Sequence, residues 1–564
     1  MRLRPALLSV FLLAACTGQA PAPAPAAVPA PSYYGTLHPF AKEAVYFVLT
    51  DRFVNGDPGN DQRDQGGEHR TFDIPLACPD GVVANLGYQG GDFRGLLDNA
   101  AYVRDLGFTA VWITPIVENP DQAFTGGDAP SCGSILTDRG KAGYHGYWGT
   151  NFYRVDEHLP SEGLGFAEFT AGMREQGLGV VLDIVANHGS PGYTMPERQP
   201  GFGQVFAADG RLLADHGNLP PEQLDPANNP LHAFYRTERD LAQLADFDYD
   251  NPAVEDYLVG AYRQWLDQGA MALRVDTARH MPLAFWGRFN ARLREGRPDL
   301  YMFAEVFEWE ADKLAPYTEP ANGGMAVLDF PMKKALAEAV GPARAGFEAL
   351  APALSLEGGP YRNPYELATF YDNHDMPRLA ADDAGFIDAH HWLFTARGIP
   401  VVYYGSEVGF MRGKPEHNGN RNYFGQDNIN AAPAHPIHRA LSRIANVRRQ
   451  SVALQRGLQL NLELQGDRAA FYRVYQHAGE AQLALVLLNK GDGPTVFEVS
   501  EALQAGAWRE ALGGAVAEVA EGGTLRAEVP AHGAAVYLLD APVAHPGLRA
   551  RLDALMASRR SSGG

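Results

Sequence analysis

Cysteine is scarce: three residues, Cys16, Cys78 and Cys132, in a chain of 564. That excludes thiolate metal clusters and a dithiol redox motif, and leaves only Cys78 and Cys132 for the body of the protein. In an exported chain these two form a disulfide; otherwise they are two buried thiols, and the sequence leaves both readings open. Positive charge is also in deficit. Lys and Arg total 47 against 67 Asp and Glu, a net charge of -20 spread along the chain, which would repel a phosphate backbone and excludes nucleic acid as a partner. The apolar run in MRLRPALLSVFLLAAC is too short to span a bilayer. What is present, 46% hydrophobic and 20% charged residues, suits a large core with a smaller second domain.

Two arginines, a short apolar run and small residues before Cys16 form a secretory signal over residues 1–16. The LAAC ending resembles the lipobox of bacterial lipoproteins, which implies export and a lipid anchor on Cys16 in the cell envelope. Thr17, not acidic, points by the same resemblance to the outer membrane. TGQAPAPAPAAVPAP opens a Pro/Ala-rich tether, residues 17–40.

From residue 41 short apolar runs alternate with amphipathic segments. Eight runs read as strands: AVYFVLT (44–50), TAVWITPI (109–116), GVVLDIV (179–185), MALRVDT (271–277), LYMFAEV (300–306), GMAVLDF (324–330), LATFYDN (367–373) and IPVVYYG (399–405). Eight βα repeats predict an α/β fold, a (β/α)8 TIM barrel over 41–188 and 251–454. One connection is anomalous: residues 189–250 have Gly, Pro and Asn clusters and no crossover helix, which marks an inserted domain. Short alternating segments over 455–542 predict a C-terminal antiparallel β-sandwich, and 543–564 read as a frayed tail.

The C-terminal ends of barrel strands converge on one face. Strand three ends in Asp183, Asn187 and His188, strand four in Arg274, Asp276 and His280, strand five in Glu305, strand seven in Asn373, His374 and Asp375. Buried carboxylates are costly unless paired, so their convergence points to chemistry. Two carboxyls flanking a bond suffice for glycoside hydrolysis, one as acid and one as nucleophile or base. Arg274, two residues before Asp276 on the same strand face, assigns Asp276 the nucleophile role.

At these residues the chain resembles the α-amylase family, glycoside hydrolase family 13. The resemblance rests on DIVANH (183–188), LADFD (244–248), LRVDTARH (273–280), FAEV (303–306) and FYDNHD (370–375), with QGGDFRGLLDNAAYVRDLGFTAVWITPI and GYHGYWGTNFYRVD extending it over roughly residues 44–455. It implies that Asp276 is the nucleophile, Glu305 the general acid/base and Asp375 the transition-state stabiliser. His188, Arg274 and His374 would grip the same sugar, Tyr147 would stack on it, and His145, Trp148, Arg279, Phe307 and Arg421 would line the substrate cleft. An α-glucan would be the substrate and a monomer the working form. Two calcium sites are implied: one at Asn187, Asp246 and the carbonyl of His280, the other at Asn55, Asp57, Asn60, Asp61, Gly90 and Asp92, hard oxygen donors that suit Ca²⁺.

YHGYW, LLDFPMK and FYDNHDMPR look closest to the cyclodextrin glucanotransferase and cyclomaltodextrinase branch. Three departures favour hydrolysis of α-1,4 bonds or altered subsites over cyclisation. Ala242 stands where that branch has a large aromatic, His417 stands where an acidic sugar ligand is expected, and no room follows the β-sandwich for that branch's starch-binding domains. A non-catalytic glucan-binding lipoprotein is the reading from another class.

Overall fold

The structure, a computed structural model, describes residues 31–561. The signal, Cys16 and the tether up to residue 30 lie outside the described residues.

Eight parallel strands form the central layer: β1 (Val45–Val48), β2 (Ala110–Ile113), β3 (Gly179–Ile184), β4 (Ala270–Val275), β5 (Tyr301–Ala304), β6 (Ala326–Val327), β7 (Ala368–Thr369) and β8 (Ile399–Tyr403). They hydrogen-bond in the order β6-β5-β4-β3-β2-β1-β8-β7, and a parallel bridge between Leu328 and Ala368 joins the ends into a barrel. Each run expected from the sequence contributes one strand. The strands are shorter than the apolar runs because the last residues of each leave the ladder for the loops above. Both faces of the sheet are covered, which is why the strands read as continuous apolar stretches and not as alternation.

The helix Pro252–Asp267 shows how crossover segments brace the loops. Asn251 caps it by accepting from Ala253 N–H, proline occupies its first turn, and Leu258, Ala261, Tyr262 and Trp265 are buried. Tyr262 Oη then accepts from Val185 N–H at 3.0 Å, which holds the segment leading to Asn187 and His188.

The structure corrects the expectation of a single anomalous connection. The chain also makes long excursions after β1 and β2, carrying the hairpins Pro75–Ala77/Val83–Asn85 and Val117–Glu118/Asn151–Val155. A Cys78–Cys132 disulfide, Cα to Cα 5.7 Å, ties these two excursions together. Within the inserted segment, His188–Pro191 pairs with Leu244–Asp246 and Gln204–Phe206 with Leu212–Asp215, all antiparallel.

Beyond the barrel, six antiparallel strands between Leu458 and Leu539 form one sheet, and Thr495–Val499 with Leu525–Val529 lies against it. The alternation of buried and exposed residues in Leu525–Val529 marks a two-faced layer. Arg473, fully buried, donates from Nη1 to Thr395 O at 2.8 Å and so joins this domain to the barrel.

Two expectations fail at the chain ends. The frayed tail is the helix Pro546–Ser561, with Leu548, Leu552, Leu555 and Met556 buried in the β-domain core. Their spacing of four, three and one makes a single apolar stripe that requires a partner to cover it. The end of the tether is likewise docked: Tyr33 pairs its backbone with Gln476 and donates its hydroxyl to Asp553 at 2.9 Å. Among the described residues no helix is long and apolar enough to cross a membrane.

Candidate active site

The register places β3, β4 and β5 side by side, with Arg274 level with Asp183 on one side and Phe303 on the other. Asp276 and Glu305 follow directly, each anchored by its own backbone: Asp276 N–H donates to Ile184 O at 2.9 Å and Glu305 N–H to Val275 O at 2.8 Å. After Asp276 the chain reverses through Thr277 at φ +46, a left-handed conformation that bulky residues seldom adopt. Such strain persists where the surroundings over-determine the backbone, as beside a reacting group.

Arg274 is the hub. Its Nη1 donates to both Asp183 oxygens at 3.0 Å and to Asp276 Oδ1 at 2.7 Å, and its Nη2 lies 2.9 Å from Glu305 Oε2. One guanidinium thus meets three carboxyl groups in a site closed to solvent, with the Arg274 and Asp183 side chains both at 0% exposure. A single positive charge cannot balance three buried negative ones. Burial pushes Glu305 up to about 8 and Asp183 up to about 7, against the pull of Arg274, with Asp276 adding to both shifts. Glu305 therefore carries a proton at neutral pH, the state required of a general acid.

The opposite wall comes from β7. Asn373 Oδ1 accepts from Asp375 N–H at 3.0 Å and fixes the turn. Asp375 remains 30% exposed, its Oδ2 lying 3.2 Å from His374 Nε2 and its Oδ1 accepting from Arg421 Nη2 at 2.8 Å. The Tyr147 ring stacks on His374 with centroids 5.3 Å apart, and its hydroxyl donates to Asp183 Oδ2 at 2.8 Å. Gly146 makes that placement possible: at φ +85, a Cβ there would lie 2.1 Å from Pro115 O. Burial lowers His374 well below the usual imidazole range and His188 to about 4, so both rings are neutral, each with one donor and one acceptor nitrogen.

Other expected residues lie further out. His145 Nδ1 accepts from Tyr147 N–H at 3.1 Å and its ring lies beside Tyr147. Phe307 is at the rim, 40% exposed, and Arg279 braces that rim by donating to Phe307 O at 3.0 Å, away from the carboxylates. Trp148 is buried against Phe124, Met195, Phe202 and Leu244, with its ring edge-on to His145 at 4.8 Å. His417 has an acidic neighbour, Glu416, which pairs with Arg421 Nη1 at 2.8 Å and Lys141 at 2.9 Å.

Several contributors were missed from sequence. Asp183 was noted at its strand end without a role, and Trp112, which donates to Asp183 Oδ2 at 3.0 Å, was noted only as part of strand two. Lys141, Glu416, Arg236 and Asp240 sit in irregular loops where spacing gives no signal.

The two implied calcium sites differ. In the first excursion, Asn55 Oδ1 and Asn60 Oδ1 are buried and without hydrogen-bond partners, beside Asp61 and Asp92. Gly90 closes this cradle: a Cβ there would lie 2.4 Å from Asp61 Oδ1. Asp92 is partly committed, capping the helix Phe93–Asp98 and accepting from Asp57 N–H, Asp57 Oδ1 accepts from Gly59 N–H, and Asp61 pairs with Arg63 and accepts from Asn55 Nδ2, so the buried oxygens of the cradle left without partners are the two amide oxygens. Orphaned hard oxygens next to carboxylates fit a cation of the calcium type. At the barrel–insertion junction the residues do not fit one. Arg236 Nη2 donates to Asn187 Oδ1 at 3.2 Å and to Asp240 at 2.8 Å, and lies 3.6 Å from Asp246 Oδ1, while His280 Nδ1 is 2.9 Å from Asp240.

Comparison with known proteins agrees with this geometry. The model of the α-amylase catalytic domain matches residues 47–200 and 226–447. A cyclomaltodextrin glucanotransferase of Bacillus licheniformis is 27% identical over 494 residues, 84% of this chain and 63% of the relative, so the chain spans under two thirds of that relative's length. An α-amylase of Niallia circulans is 27% identical over 503 residues, 86% of this chain and 87% of the relative. Among solved structures, a cyclomaltodextrin glucanotransferase with a three-domain ABC distribution aligns with TM-score 0.71 and 28% identity over 89% of this chain and 99% of that one. With the barrel, the carboxylate triad and the matched catalytic domain in agreement, the chain belongs to the α-amylase family.

Proposed function

We propose that the protein is a retaining α-glucan hydrolase that cleaves α-1,4-glucosidic bonds in starch or maltodextrins by double displacement. The observation that carries this reading is the single guanidinium of Arg274 holding Asp276 and Glu305 together while burial keeps Glu305 protonated. Glu305 gives its proton to the leaving glucosidic oxygen as Asp276 Oδ attacks the anomeric carbon and forms a glycosyl ester. Glu305, now a carboxylate, takes a proton from water, whose oxygen displaces Asp276 and restores both groups. Asp375, with His374 and Arg421 behind it, grips hydroxyls of the distorted sugar, and the Tyr147 face covers its C–H side. A cation in the Asn55–Asp92 cradle would brace the first excursion and takes no part in the bond-breaking.

Transglycosylation is the second reading, favoured by the cyclomaltodextrin glucanotransferases among the relatives. Chain length is no argument against it, since the three-domain structure just described carries that name over 99% of its own chain aligned. What supports hydrolysis is Ala242, which presents no ring to curl a glucan around; its carbonyl accepts from the Tyr193 hydroxyl at 2.7 Å. Chromatography of products from soluble starch tests the choice. Linear maltooligosaccharides are expected, and a pool dominated by cyclic glucans would overturn hydrolysis.

We also propose export and lipid anchoring through Cys16. The Cys78–Cys132 disulfide supports an oxidising compartment. Mass spectrometry of the mature N-terminus checks it, with acylated Cys16 as the expected first residue.

A further inference from the structure

We propose that the guanidinium of Arg236 stands in for a metal cation at the junction between the barrel and the insertion. Of the oxygens that would ligate a metal there, Asn187 Oδ1 and Asp246 Oδ1 are already engaged. Arg236 Nη2 donates to Asn187 Oδ1 and Asp240 Oδ2, and it lies 3.6 Å from Asp246 Oδ1. The Asn187 amide is satisfied at both ends without a metal, since its Nδ2 donates to Asp246 Oδ1 at 3.2 Å. This differs from the cradle at Asn55 and Asn60, whose amide oxygens have no partner.

The arginine is built into the junction and does not merely lean on it. Its backbone N–H donates to Asp246 O at 3.0 Å, so its Cα sits beside the residue whose carboxylate it faces. Phe247 N–H donates to Asn187 O at 2.7 Å, which closes the same ring of contacts from the barrel side. The Tyr249 ring lies 5.4 Å from the guanidinium carbon, and only 16% of the side chain is exposed. Two carboxylates from the insertion, Asp240 and Asp246, and one amide from the end of β3 thus converge on a cation supplied by the chain itself. A fixed guanidinium with directional donors matches this set of oxygens. Calcium would instead require six to eight oxygens close around one point. The junction then holds under chelation, and only the first excursion responds to calcium. The proposal is independent of which α-glucan reaction the site performs.

Calcium bound per chain, measured by equilibrium dialysis of the full protein after chelator treatment, decides it. Arg236→Ala should bind one more Ca²⁺ per chain than wild type, because the oxygens lose their resident cation. Arg236→Lys should bind no more than wild type, and Asp246→Asn should leave the wild-type count unchanged. The proposal is overturned if Arg236→Ala gains no ion, or if Asp246→Asn in the otherwise wild-type chain loses one. Should Arg236→Ala not fold, the calcium-induced rise in Tm still separates the cases. Equal rises in wild type and Asp246→Asn support the arginine, whereas a smaller rise in Asp246→Asn places the metal at the junction.

Discussion

Arg274 and Arg236 are two answers to one electrostatic problem. Both are cations surrounded by acids near the end of β3, yet Arg274 is fully buried and meets three carboxyl groups carried by three rigid strands. Arg236 is 16% exposed and meets two, Asp240 and Asp246, on the insertion. In the first cluster negative charge exceeds positive, burial forbids water from making up the difference, and a proton must stay on Glu305. In the second, one guanidinium faces two carboxylates, so the excess is smaller, although burial still pushes Asp246 up to about 7. A larger surplus of acid on barrel strands yields a proton donor; a closer match on the insertion yields a rivet.

That contrast can be broken experimentally. Asp276→Asn should lower kcat by roughly 10⁴-fold or more, as loss of a nucleophile does, and Glu305→Gln by about 10²–10⁴-fold, the scale of general-acid loss; steady-state rates on maltoheptaose check both. Near wild-type turnover in either would remove the chemistry assigned to the Arg274 cluster. Arg274→Lys keeps the charge but loses the fork, and breaking a buried ion pair costs about 3–5 kcal/mol. A clear drop in Tm with near-complete loss of activity is expected by calorimetry and assay. Arg236→Ala, by contrast, should destabilise by about 1–3 kcal/mol in calcium-free buffer while kcat changes by only a few-fold. If it lowers kcat as far as Arg274→Lys, the two clusters are not functionally distinct. The smallest effect concerns pH. With Glu305 raised to about 8, kcat/KM should fall as pH rises through about 8, because the acid loses its proton. Asp375 contributes to that shift, so in Asp375→Asn the residual activity should lose its alkaline limb at a lower pH than wild type.

The two clusters were unequally legible in the sequence. Asp276, Glu305, His374 and Asp375 could be found because barrel strands read as apolar runs, and the residue that ends such a run must face the pocket. GYHGYW places two aromatics in adjacent positions, and only the tertiary contacts show that one turns toward His374 and the other toward Phe124 and Phe202. Arg236 had no such signal. It sits in an aperiodic loop, ten residues before Asp246, and its role depends on a backbone pairing that spacing alone does not reveal. The terminal helix was legible in principle: Leu548, Leu552, Leu555 and Met556 repeat at helical spacing, but a 16-residue helix is marginal in isolation and exists here because the β-domain covers its apolar stripe.

The docking of Tyr33 has a mechanical meaning. Near the start of the described residues Tyr33 pairs its backbone with Gln476 while its hydroxyl is tied to Asp553 on the terminal helix, so the first and last described segments are both fastened to the β-domain. From Tyr33 the chain also reaches the barrel directly, Thr36 Oγ1 donating to Glu366 just before β7 at 2.6 Å, and Arg473 joins the β-domain to Thr395, just before β8 begins. Those contacts lie at the end of the barrel opposite Asp276, Glu305 and Asp375. A pull on Tyr33 would therefore enter the molecule at the end away from the carboxylate pocket.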